Sequence, residues 1–252
     1  MYKKIIYLRL VGGLGNQLYQ FSFAYKIFQK FRFNKIIVDC SAMKNYPENW
    51  GYLLNNVLDE KRLDQVVEFN GSWLHKFRIA RLASILPLLS SSVGLISDGN
   101  VRGAQFDKLS TVWIDGYFEN TLTVESDALN LSNLLRSDLY LELPYNLVVL
   151  NVRGGEFVRL GLSTDADFQV YGHYLKLVRE KVESPVFHVV TDDIEYAKKL
   201  VAELDIEVIY HPSDPLENFK MLYSAHYKII SKSTFSEWAC KLSPHRQNVF
   251  RI

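Results

Sequence analysis

Short apolar runs alternate along the chain with longer stretches in which apolar positions recur at helical spacing. Lys4–Val11 is an extended run ending at Gly12-Gly-Leu-Gly15, and Asn16–Phe31 follows with the broad apolar face of a helix. Lys35–Asp39 is a second strand, and the order strand, turn, helix, strand implies a parallel sheet. Thr111–Ile114 reads as another strand, leading into Asp115-Gly-Tyr-Phe-Glu-Asn120, with a helical stretch near 124–137. The rhythm resumes with strands at 147–152, 186–191, 206–210 and 227–231, separated by helices near 171–183, 193–204 and 214–224. Weaker signals over 41–109 predict helix with loops. Two α/β halves divided around 138–146, where Pro144 stands, account for the pattern.

Two strand ends carry candidate chemistry. Leu147–Leu150 runs out into Asn151-Val-Arg-Gly-Gly-Glu156, placing Arg153 at the carboxyl edge of a buried strand. Ligands of open α/β sheets bind at that edge, and a guanidinium there can fork two hydrogen bonds onto phosphate oxygens. Tyr227–Ile230 runs in the same way into Ser231-Lys-Ser-Thr234, where Ser233 or Thr234 would cap a helix carrying Phe235, Trp238, Ala239 and Leu242. The amino terminus of such a helix offers N–H groups and a positive dipole to an anion. After Phe187–Val190, Asp193 reads as a helix cap, while Asp192 is better placed to face a ligand.

Composition narrows the classes. A net charge of +1 gives no electrostatic case for nucleic acid, and a hydrophobic fraction of 48% argues against disorder. Cys40 and Cys240 form no CxxC pair, and the histidines show no metal-ligand spacing, so no zinc site or disulfide framework is indicated. A reducing compartment fits this usage. The amino terminus reaches Arg9 before any long apolar region develops and reads as a first strand rather than a signal peptide. Residues 73–96 combine Trp73, Phe77, Leu82 and Ile85 with Lys76, Arg78 and Arg81, the pattern of a basic amphipathic helix. Packing on its own domain is the preferred reading of that helix, and peripheral contact with an anionic membrane the other.

Gly13-Leu-Gly15 lacks the third glycine of a dinucleotide fingerprint, since Leu18 takes its place, so a Rossmann dehydrogenase is disfavoured. Gly12-Gly-Leu-Gly-Asn-Gln-Leu-Tyr-Gln20 instead resembles the GGLGNQxFQ signature of the bacterial α-1,2-fucosyltransferases, glycosyltransferase family 11. Val190-Thr-Asp-Asp-Ile-Glu195 is similar to that family's SDDxEW segment, Ile229–Trp238 to its IIxNSTFSWW, and Asp115–Glu119 to its GYFQ segment. The matches occur in family order over nearly the whole chain. The HxRRxD signature departs most: Asn151 replaces the histidine, Arg153 stands as the first arginine, Gly154 replaces the second, and Glu156 replaces the aspartate. Lys232 stands for the usual Asn, Glu237 for a Trp, and Glu119 for the Gln.

The resemblance implies an α/β fold of GT-B type, two Rossmann-like domains facing a cleft, with an acceptor-side domain over 1–140 and a GDP-sugar-binding domain over 141–252. It implies an inverting, metal-independent transfer of L-fucose from GDP-L-fucose, or of a related sugar such as colitose, to a galactose-containing acceptor in surface polysaccharide or O-antigen synthesis. The acceptor would be an oligosaccharide, free or lipid-linked at the inner membrane face, and the protein cytoplasmic or peripheral there, with no cofactor beyond the donor. Arg153 would stabilise the leaving diphosphate together with Ser233 and Thr234. Gly13, Gly15 and Asn16 would close over the pyrophosphate or the sugar. Asn151 and Asp192 would hold the guanine or ribose, and Glu156 would act as base or brace Arg153. Two rivals remain open: a non-catalytic nucleotide- or carbohydrate-binding protein, and a metal-dependent transferase using the DxD form of Asp165 and Asp167, which a solvated turn explains more simply.

Overall fold

A computed structural model describes residues 4–41, 43, 51–69, 93–101, 104–120, 130–164, 166–211 and 214–252. The chain forms two compact units, Met1–Arg136 and Ser137–Ile252. That division falls just ahead of the Pro144 region used to place it from sequence.

Unit 1 is built on a five-stranded parallel sheet of β1 (Ile5–Arg9), β2 (Lys35–Asp39), β3 (Val67–Phe69), β4 (Val93–Ile96) and β5 (Thr111–Ile114), in the order β3-β2-β1-β5-β4. Helix α1 (Leu14–Lys30) connects β1 to β2 and buries most of its circumference, including Leu18, Phe21 and Ala24 at no exposure. The short α2 (Glu60–Leu63) is capped by Asp59, whose carboxylate accepts from the Arg62 amide at 3.0 Å. β3 and β4 correct the expectation of helix and loops over 41–109. Each is an edge strand of three or four residues, too short to show a period of two.

Unit 2 repeats the plan with β6 (Leu147–Val152), α3 (Gly155–Arg159), α4 (Ala166–Lys181), β7 (Val186–Thr191), α5 (Ile194–Leu204), β8 (Val208–Tyr210), α6 (Pro215–Ser224), β9 (Tyr227–Ile230), α7 (Thr234–Leu242) and β10 (Val249–Arg251). Its five strands are also all parallel, in the order β10-β9-β6-β7-β8. All six residues of β6 are buried, as a central strand covered on both faces requires. Val148, Leu150 and Val152 enter one core with Leu175 and Val178 of α4 and Ala197 and Leu200 of α5. The alternate positions turn to the opposite face, where α6 packs on β6, β7 and α7. Trp238 of α7 is almost fully buried, and Phe235 meets Phe219 edge-on at 5.5 Å. Sequence periodicity did not reveal β10 or α3, which are again a short edge strand and a five-residue helix.

The strand order decides where a ligand can sit. In unit 2 the chain winds outward from β6 through β7 to β8, then returns to the other side of β6 through β9 to β10. The carboxyl ends of β6 and β9 therefore flank a topological switch point, the place where open parallel sheets leave a crevice. Unit 1 has its own switch point between β1 and β5. There the Arg9 guanidinium pairs with Asp115 at 3.1 Å.

Of the amphipathic stretch expected at 73–96, residues 73–92 lie outside the described residues, and 93–96 form β4 rather than the end of a helix. The helical stretch near 124–137 is described only from 130 onward. No helix among the described residues is long and apolar enough to cross a membrane.

Candidate functional site

At the switch point of unit 2, β6 ends at Val152 and the backbone turns through Arg153 and Gly154 into α3. The Arg153 Nη1 donates to Asp192 Oδ2, just beyond the end of β7, and the guanidinium lies 4.9 Å from the Phe157 ring centroid. Asp192 Oδ1 accepts the Gly154 amide at 2.9 Å, so one carboxylate holds both the side chain and the backbone beside it. Ser163 Oγ donates to the Arg153 carbonyl at 2.7 Å and closes the loop from the other side. Arg153 Nε is buried and has no hydrogen-bond partner among the described residues.

Asp193, the next residue, has a different task. It caps α5 by accepting the Tyr196 amide at 3.1 Å, and its other oxygen accepts the Gly155 amide at 2.9 Å. These amides, Gly155 first, hold its carboxyl below the ordinary value. The capping role read from sequence is what the structure shows, and it adds a bond across to the β6 turn. That bond explains the glycines. A Cβ on Gly154 would lie 2.4 Å from the Asp193 Cβ, and Gly155 sits at φ +47°.

Asn151 faces inward. Its side-chain oxygen accepts from Ser231 Oγ at 2.8 Å, and its carbonyl accepts from the buried Tyr171 hydroxyl at 2.6 Å. Burial raises the Tyr171 phenol well above its ordinary value, so it stays protonated as a donor. The Asn151–Ser231 bond ties β6 to the end of β9 beneath the site. Ser233 occupies the N-cap of α7 as expected, but its hydroxyl makes no capping bond, and Thr234 is the first helical residue. The last turn before α7 is tightened instead by Ser236, whose Oγ donates to the carbonyls of Ser231 and Ser233 at 3.2 and 3.1 Å.

A small pocket opens here, and its walls include Arg153, Ser163, Asp167, Tyr171, Tyr196 and Lys232. Of the residues singled out from sequence, Asn151, Arg153, Asp192, Ser233 and Thr234 thus gather around the β6–β9 switch point. Glu156 stands exposed on the first turn of α3, and Arg153 is braced by Asp192 rather than by Glu156. Asp167 lies in the first turn of α4 and accepts the Thr164 amide at 2.9 Å, while Asp165 lies outside the described residues. Ser163, Tyr171 and Tyr196 were not singled out, because a lone hydroxyl on a helix or loop has no local pattern to mark it. Glu237, where a tryptophan was expected, pairs with Arg251 of β10 at 2.9 Å.

Gly13, Gly15 and Asn16 belong to unit 1, at the end of β1. Gly12 turns at φ +79°, Gly13 is the N-cap of α1, Gly15 is buried and Asn16 is half-buried. The two glutamines of the same signature fix this loop from within. Gln17 Nε2 donates to the carbonyls of Gly12 and Gly51 at 2.9 Å each, its Oε1 accepts the Leu53 amide at 2.9 Å, and Gln20 Oε1 accepts the Val11 amide at 3.0 Å.

Known proteins match this plan. An α-1,2-colitosyltransferase of Escherichia coli is 24% identical over 273 residues, spanning 94% of this chain and 87% of the relative. The fucosyltransferase NodZ from Bradyrhizobium superposes with a TM-score of 0.58 at 15% identity, covering 97% of this chain and 94% of its own. POFUT1 in complex with GDP-fucose gives 0.58 at 11% identity over 99% and 97%. At such identities the structural likenesses speak for the fold, two Rossmann-like units of GT-B type. The model of glycosyl transferase family 11 matches residues 111–248, more than half of the chain and all of the β6–β9 site, so the protein belongs to that family and is a glycosyltransferase.

Proposed function

We propose that the protein transfers L-fucose from GDP-L-fucose to a hydroxyl of a galactose-containing oligosaccharide, forming an α-1,2 linkage with inversion and without a metal. The observation that carries this reading is the placement of Arg153. A braced guanidinium opens on a pocket at the β6–β9 switch point, where a nucleoside diphosphate is bound in folds of this kind. The acceptor hydroxyl attacks C1 of the donor sugar opposite the diphosphate. The bond from C1 to the β-phosphate oxygen breaks, GDP leaves with the electron pair, and the hydroxyl proton passes to a base, proposed to be Glu156. Charge grows on the departing β-phosphate, so a fixed guanidinium stabilises the transition state more than the ground state. Asp192 serves as the brace that fixes the guanidinium. The acceptor is proposed to be an oligosaccharide of a surface polysaccharide or O-antigen repeat, lipid-linked at the inner membrane face.

A second donor, GDP-colitose, is favoured by one observation: the colitosyltransferase resembles this chain over 94% of its length. Turnover measured as GDP release from both donors with a galactoside acceptor, with and without EDTA, decides among these readings. GDP-L-fucose is expected to turn over in EDTA, and Arg153→Ala to lose about 100- to 1,000-fold in kcat. Turnover abolished by EDTA would refute the metal-free mechanism. GDP binding without turnover on any donor would make the protein a nucleotide-binding relative that has lost its chemistry.

A further inference from the structure

Arg153 is one cation in a site proposed to receive a doubly anionic diphosphate, and its charge is already met by Asp192. Asp167 adds a carboxylate to the pocket wall. Without a further cation the wall would repel the ligand that Arg153 is placed to bind. The turn after β6 cannot supply one. At Gly154, where the resembling signature carries a second arginine, a Cβ would lie 2.4 Å from the Asp193 Cβ and 2.9 Å from its carboxylate. Asp193 cannot readily move aside, since it caps α5 and binds the Gly155 amide. Any side chain at position 154 therefore collides with the group that fixes the loop.

We propose that Lys232, in the wall of the same pocket, is the second diphosphate-binding cation of this site and replaces the charge that Gly154 cannot carry. Lys232 lines the same pocket as Arg153 and is exposed. No carboxylate among the described residues pairs with its ammonium. It stands between the end of β9 and Ser233, the N-cap of α7, so its backbone position is set by two elements that also flank the switch point. The two cations differ in kind. The braced guanidinium of Arg153 has a fixed direction, whereas the lysine is a mobile point charge that can follow the β-phosphate as the sugar leaves. Asparagine, the residue of the resembling motif at this position, keeps a hydrogen-bond donor but carries no charge. The lysine therefore offsets the carboxylate of the pocket wall and does not merely change its shape.

This inference rests on the GDP-sugar reading, and calorimetric titration separates the two. The intact protein is titrated with GDP and with inorganic pyrophosphate at low and moderate salt, as wild type and as Lys232→Ala, Lys232→Asn, Lys232→Arg and Lys176→Ala. Lys176 is an exposed lysine of α4 that controls for net charge. Loss of one charge-assisted contact to phosphate should weaken GDP by about 10- to 30-fold in Lys232→Ala and Lys232→Asn. Lys232→Arg should retain most of the affinity, Lys176→Ala should match wild type, and the salt dependence should fall with the lysine. Wild-type affinity for GDP in Lys232→Ala would overturn the inference and leave the GDP-sugar reading standing. So would an equal loss in Lys176→Ala. If pyrophosphate bound as tightly as GDP and both weakened in Lys232→Ala, the lysine would stand and the guanosine part of the reading would fall. A wild type that bound neither probe would overturn both.

Discussion

Arg153 and Asp192 meet across the carboxyl ends of β6 and β7, 39 positions apart in the chain, and the same carboxylate also accepts the amide of Gly154. A guanidinium alone on a glycine-rich turn would sample many rotamers. Two points of attachment to one carboxylate convert it into a directed donor before any ligand arrives, and that preorganisation is what a developing oxyanion needs.

If the pair acts as a unit, its two members will not contribute additively. Asp192→Ala should lower kcat/KM by about 10- to 100-fold through loss of orientation alone. The double variant Arg153→Ala/Asp192→Ala should be no worse than Arg153→Ala, since the brace has nothing left to hold. Steady-state kinetics of the four proteins form the cycle. Strictly additive losses would mean that Asp192 acts on the ligand and not through Arg153.

The Gly154 contact predicts damage from a single methyl group. Gly154→Ala places a Cβ against Asp193 and should cost about 1–3 kcal/mol through overpacking, visible as a lower urea midpoint. Because the displaced residue also anchors Gly155, KM for the donor should rise in the same variant.

Gln17 presents the opposite case, a signature residue whose work is internal. Its amide bonds to Gly12, Gly51 and Leu53 while fully buried, so Gln17→Ala leaves several backbone groups unsatisfied and should cost about 1–3 kcal/mol for each one that water cannot reach. Hydrogen exchange should show the Leu53 amide losing protection. Unchanged protection there would mean that the loop does not depend on this residue.

His188 on β7 and His211 beyond β8 form a pair, with Nδ1 of one 2.6 Å from Nε2 of the other and their rings stacked at 4.9 Å. Burial lowers both pKa values, and in His188 the neighbouring His211 lowers it further. The unfolded chain therefore binds more protons than the folded one just below the ordinary histidine value. The stability from this pair is fully present above about pH 6.5 and is lost as pH falls toward the depressed folded values. Urea unfolding at pH 7.5 and 5.5 should show a larger acid loss in wild type than in His188→Gln. Equal losses would place the acid sensitivity elsewhere.

Much of the site was legible because its residues stand at strand ends, where an apolar run gives way to glycine, serine or charge. Arg153, Asp192 and Ser233 were found in that way, and so was the capping role of Asp193. The internal partners were not. Nothing local in Asn151-Val-Arg153 indicates that the asparagine points at Ser231 or that Tyr171, 20 positions later, binds its carbonyl. The edge strands β3, β4 and β10 were missed for a related reason. Three or four residues display little of a period; β8, equally short, was legible because it falls between two strongly periodic helices, and what makes the others strands is the neighbour that already offers an unpaired edge.

By itself the sequence determined the alternation of strand and helix, the two α/β halves and the family signature, because hydrophobic periodicity and turn chemistry act over a few neighbouring residues. Only the tertiary structure decided which carboxylate braces Arg153, why position 154 admits no side chain, and that Lys232 faces the same pocket. Those relations depend on strand order. Parallel winding brings the ends of β6, β7 and β9 together from segments some forty and eighty residues apart.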